Sequence, residues 1–178
     1  LGWLGSLGLR SPLILDVGCA TGWLTVQLAQ FGEATGTDIA DDSIRIAAAK
    51  GTGITFIAGD FLQLEFKADS FDVVVCVETL SHVPDQREFM ERIATILRPG
   101  GYLILTTQNR FVFERRTDVA PQAAGQIRRW VTRRELRQLA AGLFEVRRLT
   151  TLLPVGHLGV LRLLNSIKLR RALGVIQL

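Results

Sequence analysis

Leu13-Ile14-Leu15-Asp16-Val17-Gly18-Cys19-Ala20-Thr21-Gly22 is an apolar run carrying one carboxylate and closed by a short glycine turn. An amphipathic stretch, Trp23 to Phe31, follows at once and ends at Gly32. The pattern predicts a buried strand over 13–17, a tight turn, and a helix over 22–31. In open α/β sheets the ligand sits outside the carboxyl end of such a strand. Gly18 and Gly22 permit backbone angles that other residues avoid. The N–H groups at the start of the helix are expected to suit an anionic group.

Outward from this stretch the same alternation continues. Strands are predicted over 34–38, a short one ending on a carboxylate, and over 54–58, 71–76 and 102–107, apolar runs bounded by turn residues. Helices are predicted between them. Asp41-Asp42-Ser43 supplies N-cap chemistry for one through Lys50, and Pro84-Asp85 opens another through Leu97, stopped by Arg98-Pro99-Gly100-Gly101. Residues 108–130 lack a clean period and read as an insertion with short helices over the sheet edge. Thr132 to Ala141 reads as a helix with Thr132 and Glu135 as a capping box. Phe144 to Leu153 reads as a sixth strand, Leu158 to Leu173 as a helix, and Val175 to Leu178 as the start of a last strand. The expected fold is α/β: a doubly wound, mostly parallel sheet with helices on both faces, in a single domain over 1–178. Within it, 13–107 is the ligand-binding core, 108–130 a substrate cap, and 131–178 a set of helices and an edge strand that reads as incomplete.

The 178 residues suffice for one buried core. No stretch approaches the ~18 apolar residues that span a bilayer, and no signal peptide is evident, so a cytoplasmic protein is expected. The missing initiator Met implies residues before Leu1. Cys19 and Cys76 read as a reduced pair rather than a disulfide framework. Charge is uneven: residues 1–109 hold 7 Lys and Arg against 13 Asp and Glu, and residues 110–178 hold 14 against 4. Such asymmetry can mark an anionic partner. Phe111, Phe113 and Trp130, beside Arg110, Arg115, Arg116, Arg128 and Arg129, could rim a site for an anionic metabolite. Val160, Leu163, Leu164 and Ile167 form a stripe near Arg170 and Arg171 that could lie on an anionic bilayer, so a peripheral membrane contact stays open.

A dinucleotide site would want Gly-x-Gly-x-x-Gly after the first strand. Ala20 and Trp23 stand at the second and third positions, and a tryptophan there is expected to crowd the helix–strand contact. NAD is disfavoured.

Leu15 to Gly22 resembles the first motif of class I S-adenosylmethionine-dependent methyltransferases of the small-molecule type. Gly36-Thr37-Asp38-Ile39 is similar to that family's acidic end of strand two. Gly59-Asp60-Phe61 is similar to its third motif, Phe71 to Asp85 to its fourth, and Leu97 to Leu105 to its helix-to-strand-five signature. The resemblance covers about residues 13–107 and implies a Rossmann-like fold with S-adenosyl-L-methionine as methyl donor. It implies that Asp38 receives the ribose hydroxyls, that Ile39 packs on the adenine, that Asp60 accepts from the adenine amino group, and that Phe61 supplies an amide or ring edge beside it. Gly18, Cys19, Ala20 and Gly22 would lie along the methionine and ribose. Asp16 would orient the loop or reach the ammonium, to which Val77 would offer its carbonyl.

Methyl transfer needs in-line positioning in a dry pocket and, for a protonated nucleophile, a base. His82 is the candidate. Some quinone-biosynthesis O-methyltransferases carry Glu-x-x-Glu-His here as a metal site. This chain has Glu78, Ser81 and His82, one carboxylate short, so no metal is expected. The signatures of DNA base methylation are absent. The expected function is methyl transfer to a small molecule. Alternatives are methylation of a lipid or quinone precursor at the membrane, a non-catalytic cofactor-binding or scaffolding domain, and methylation of RNA by the basic C-terminal third.

Overall fold

The structure is a computed structural model that describes residues 1–115 and 119–150. Leu1–Val146 form one compact unit, which holds every element described below. Arg147–Leu178 form a second unit. The helix expected over 158–173 and the strand expected over 175–178 lie outside the described residues.

Five strands form one all-parallel sheet: β1 (Leu13–Val17), β2 (Glu33–Asp38), β3 (Thr55–Ala58), β4 (Phe71–Val77) and β5 (Leu97–Thr106). Their spatial order is β3-β2-β1-β4-β5, so the order reverses between β1 and its neighbours β2 and β4. That reversal opens the crevice in which open α/β sheets hold ligands. β5 starts earlier than its apolar run does, because Leu97 already pairs with Phe71 before the register shifts and Tyr102 pairs with Val73.

Strand residues alternate between two cores, as a sheet covered on both faces requires. Leu15, Val17, Val74 and Cys76 face a cluster with Phe89, Ile93 and Ile96 from α4 (Gln86–Ile96). Leu136 and Leu139 of α6 (Arg133–Ala140) pack against the same cluster. Ile14, Val73 and Val75 face Leu4 of α1 (Gly2–Gly5) and Leu28 of α2 (Trp23–Leu28). α3 (Asp41–Ala48) lies against β2 and β3. A short helix, α5 (Arg110–Phe113), follows β5.

Two of the three anticipated caps form, and the third is a correction: the helix expected to be capped by Asp41-Asp42-Ser43 has Ala40 as its N-cap with no side-chain cap hydrogen bond, and Asp41 and Asp42 lie in its first turn. The Asp85 carboxylate accepts from the N–H groups of Arg87 and Glu88, and Thr132 and Glu135 complete a reciprocal capping box.

The sixth strand is a correction. Among the described residues of its span, 144–150 form no strand. Phe144 instead closes the turn after α6, its N–H donating to the Ala140 carbonyl, and its ring packs on the core without pairing to β5. The segment expected as an insertion carries the short helix α5 directly after the edge strand β5. Its residues 127–130, with Val131 after them, reach a 3₁₀ turn, Leu80–His82, just beyond the end of β4.

Candidate functional site

Asp16 continues the Ile14 face of β1, which aims its side chain at α2. There the carboxylate, 1% exposed, accepts a 2.7 Å hydrogen bond from the Thr25 hydroxyl. Burial pushes its pKa up to about 6; the Thr25 bond opposes that shift and the nearby Asp38 charge adds to it. The group is a buried anchor between strand and helix.

The glycine turn is spent largely on itself. Gly18 and Cys19 donate their N–H groups to the Thr37 carbonyl, and Gly22 donates to the Cys19 carbonyl. The Ala20 N–H donates to Asp38 Oδ2 at 2.8 Å. Four N–H groups of the turn thus have acceptors inside the protein and take no part in the anion site expected at the helix start. Left-handed backbone at Gly18 (φ +79°) and Ala20 (φ +47°) makes this folding-back possible. A Cβ on Gly18 would also lie 2.0 Å from Thr79 Oγ1. That hydroxyl donates to the Val17 carbonyl at 3.0 Å and so ties the β4 loop to the end of β1.

Trp23 does not crowd the helix–strand contact as expected; it is 64% exposed. The close contact falls one residue earlier, where a Cβ on Gly22 would lie 2.6 Å from the Phe56 ring.

Asp38 is brought to the turn. Its Oδ1 accepts from the Ala40 N–H at 2.9 Å while Oδ2 holds Ala20. Ile39 beside it is 74% exposed. Across the crevice Val77, at the end of β4, is 36% exposed, and its carbonyl accepts from Thr79 Oγ1 at 3.3 Å. Cys19 is buried, and burial pushes its thiol up to about 12.

Asp60 caps its own turn: its carboxylate is exposed and accepts from the Leu62 N–H. Phe61 is corrected from ring edge to core residue. It is 7% exposed and packs edge-on to Phe89 at 5.2 Å between ring centroids, which leaves only its main chain for a ligand.

His82 Nδ1 lies 3.1 Å from the Ile127 carbonyl. A carbonyl can only accept, so Nδ1 carries the hydrogen there, and in the neutral ring the lone pair is on Nε2. Glu78, in a left-handed conformation (φ +60°), accepts from the Thr106 hydroxyl, and Ser81 is fully buried. These three positions therefore do not fit the Glu-x-x-Glu-His metal pattern. Among the described residues no group of three His, Cys, Asp or Glu is placed to hold a metal.

Four contacts escaped the sequence. They are those of Thr25, Thr79, Gln86 and Lys50; Gln86 Nε2 donates to both the Leu80 and Arg129 carbonyls. Lys50 reaches back to donate to the Thr21 carbonyl. Only Thr25 left a signal, a hydroxyl on the buried face of α2.

A family model described as a methyltransferase domain matches residues 15–105, just over half of the chain. The chain belongs to the methyltransferase domain family. This methyltransferase domain is 35% identical over 118 residues to the ubiquinone biosynthesis O-methyltransferase of Cupriavidus pinatubonensis, covering 62% of this chain and 47% of that protein. To the protein of the same name from Idiomarina loihiensis it is 38% identical over 114 residues, covering 59% and 46%. The chain thus spans about half the length of the curated relatives it matches. An S-adenosylmethionine dependent methyltransferase from Mesorhizobium loti superposes with a TM-score of 0.56 at 26% identity, over 62% of this chain and 54% of that one. A Pyrococcus horikoshii protein gives a TM-score of 0.67 at 21% identity, over 78% and 74%, and shares the Rossmann-like fold. Among the described residues no helix is long and apolar enough to cross a membrane.

Proposed function

We propose that this domain binds S-adenosyl-L-methionine and transfers its methyl group to a small-molecule acceptor. The observation that carries the reading is Asp38. An ionised carboxylate offers about four acceptor sites. Ala20 and Ala40 occupy two of them, one on each oxygen, so each oxygen keeps a site for one of two adjacent ribose hydroxyls. The exposed Ile39 beside it is the apolar plate that an adenine would cover. Val77 presents its carbonyl to the ammonium, and Asp60 and the Phe61 amide stand at the adenine edge.

The cofactor brings an already activated methyl group. What the chain adds is placement and, for a hydroxyl acceptor, a proton acceptor at His82 Nε2. Oxygen as the methylated atom, and a quinone precursor as the acceptor, is the reading that the relatives' names support.

Calorimetry with S-adenosylhomocysteine tests the reading. Two hydrogen bonds to a charged acceptor amount to about 3 kcal/mol. Asp38→Ala should therefore weaken binding by about 100-fold, with circular dichroism reporting whether the turn it braces still folds. Unchanged affinity in a folded Asp38→Ala protein would refute the assignment.

A further inference from the structure

Residues 127–131 do two things at once. Their main chain grips the loop after β4: the Ile127 carbonyl holds His82 Nδ1, the Arg129 N–H donates to the Ser81 carbonyl at 2.8 Å, and the Arg129 carbonyl accepts from Gln86. Arg128, Arg129 and Trp130 also line a cleft of about 380 Å³ with Arg110, Glu114, Glu135 and Gln86, so the cleft adjoins the loop that carries His82.

The three guanidinium groups in that cleft are not equivalent. Arg110 is ion-paired with Glu135 at 2.6 Å. Arg128 is held by neutral acceptors, the Ala120 carbonyl at 2.8 Å and Gln126 Oε1 at 3.1 Å, with its guanidinium carbon 5.4 Å from the centre of the Trp130 ring. Arg129 donates to the Pro84 carbonyl. Among the described residues neither Arg128 nor Arg129 is ion-paired with a carboxylate. Neutral anchors fix a guanidinium without cancelling its charge. The entropy of ordering it is then already lost before a ligand arrives, and its planar fork matches a carboxylate or phosphate. Two glutamates in the same lining limit the net charge, which suits one small anionic group rather than a polyanion such as RNA.

We propose that this cleft is the anion subsite of the acceptor. It takes a carboxylate or phosphate group of the small molecule whose nucleophile is presented to His82. The proposal rests on the methyltransferase reading above, because it assigns the cleft to that reaction's second substrate.

The test uses inorganic phosphate and benzoate as probes, titrated at constant ionic strength and followed by calorimetry. S-adenosylhomocysteine binding is measured separately on each protein. At least one probe should bind saturably. Arg128→Gln and Arg129→Gln should each lower its affinity at least tenfold, Arg129→Lys by less, and Arg133→Gln on the exposed face of α6 not at all. Unchanged melting temperature and S-adenosylhomocysteine affinity would show that these variants fold. The chain has two histidines, so His82→Gln assigns the His82 ring resonance by NMR. That resonance should move as the probe saturates. No saturable binding, binding that survives both Arg→Gln changes, or a His82 resonance that ignores the bound probe would each overturn the proposal. Failure of S-adenosylhomocysteine to bind the unaltered protein would instead sink the methyltransferase reading, and the two results are read independently.

Discussion

Thr25→Val removes one hydroxyl from the floor of the site and nearly keeps its shape, so its effect isolates the bond to Asp16. At pH 7.5 the Asp16 carboxylate, with a pKa near 6, is ionised and 1% exposed. Losing a hydrogen bond to a buried charge should cost about 2 kcal/mol. At pH 5 the same group is largely protonated, and the loss falls to about 1 kcal/mol, the size of a neutral bond. The background slope has a definite sign. The folded pKa lies above the ordinary 3.8, so between those values the folded chain holds more protons than the unfolded one. Stability from this group is full below about pH 4 and declines as the pH rises through 6, by at most ~3 kcal/mol. Removing the Thr25 bond raises the folded pKa further and carries that decline to higher pH. Urea denaturation at the two pH values reads the difference. With a slope of about 2 kcal/mol per molar, the midpoint should drop by about 1 M at pH 7.5 and about half that at pH 5. Asp16→Asn, which cannot ionise, should flatten the profile between pH 4 and 6. Equal losses for Thr25→Val at both pH values, or a pH profile unchanged in Asp16→Asn, would refute a buried, ionised Asp16 braced by Thr25.

Gly18→Ala should cost about 2–4 kcal/mol, combining a left-handed residue with overpacking against Thr79. Thr79→Ser removes only a methyl group and should rescue little, whereas Thr79→Ala takes away the hydroxyl and should recover a measurable part in a thermal-denaturation double-mutant cycle. Burial pushes both Cys19 and Cys76 up to about 12, so neither should react with a thiol reagent at pH 8 in the folded protein. Both should react within the mixing time once urea unfolds the chain.

The strands were legible because a parallel sheet covered on both faces leaves an unambiguous mark: continuous apolar runs ended by glycine or aspartate. Asp38 and the glycine turn were legible through the family resemblance of Leu15–Gly22 and Gly36–Ile39, since the short strand before Asp38 is itself not apolar. The misreadings share one physical origin. Alternation at 144–153 reports which side of an extended segment is apolar, not whether an edge stands free to pair with it, and Phe144 finds its core contacts without a strand. Phe61 follows Asp60 in the motif, but the ring goes where aromatic neighbours exist, and Phe66 and Phe89 are contributed by the crossover and by α4.

The turn itself carries the sharpest lesson. Its N–H groups looked like a ready anion cradle because sequence shows donors and not the acceptors that tertiary register brings to them. Once β2 lies beside β1, the Thr37 carbonyl and the Asp38 carboxylate consume three of those donors. What reaches the crevice is then the remaining lone pairs of a carboxylate and two exposed aliphatic side chains. A ligand for that surface must bring hydroxyl or ammonium donors and a flat apolar face, and a nucleoside joined to an amino acid brings both. The N–H groups of Gly18, Cys19, Ala20 and Gly22, which a pyrophosphate would need, are already spent within the protein. The turn's closure against a pyrophosphate comes from how it folds back on β2, and not from the bulk of Trp23, which is 64% exposed.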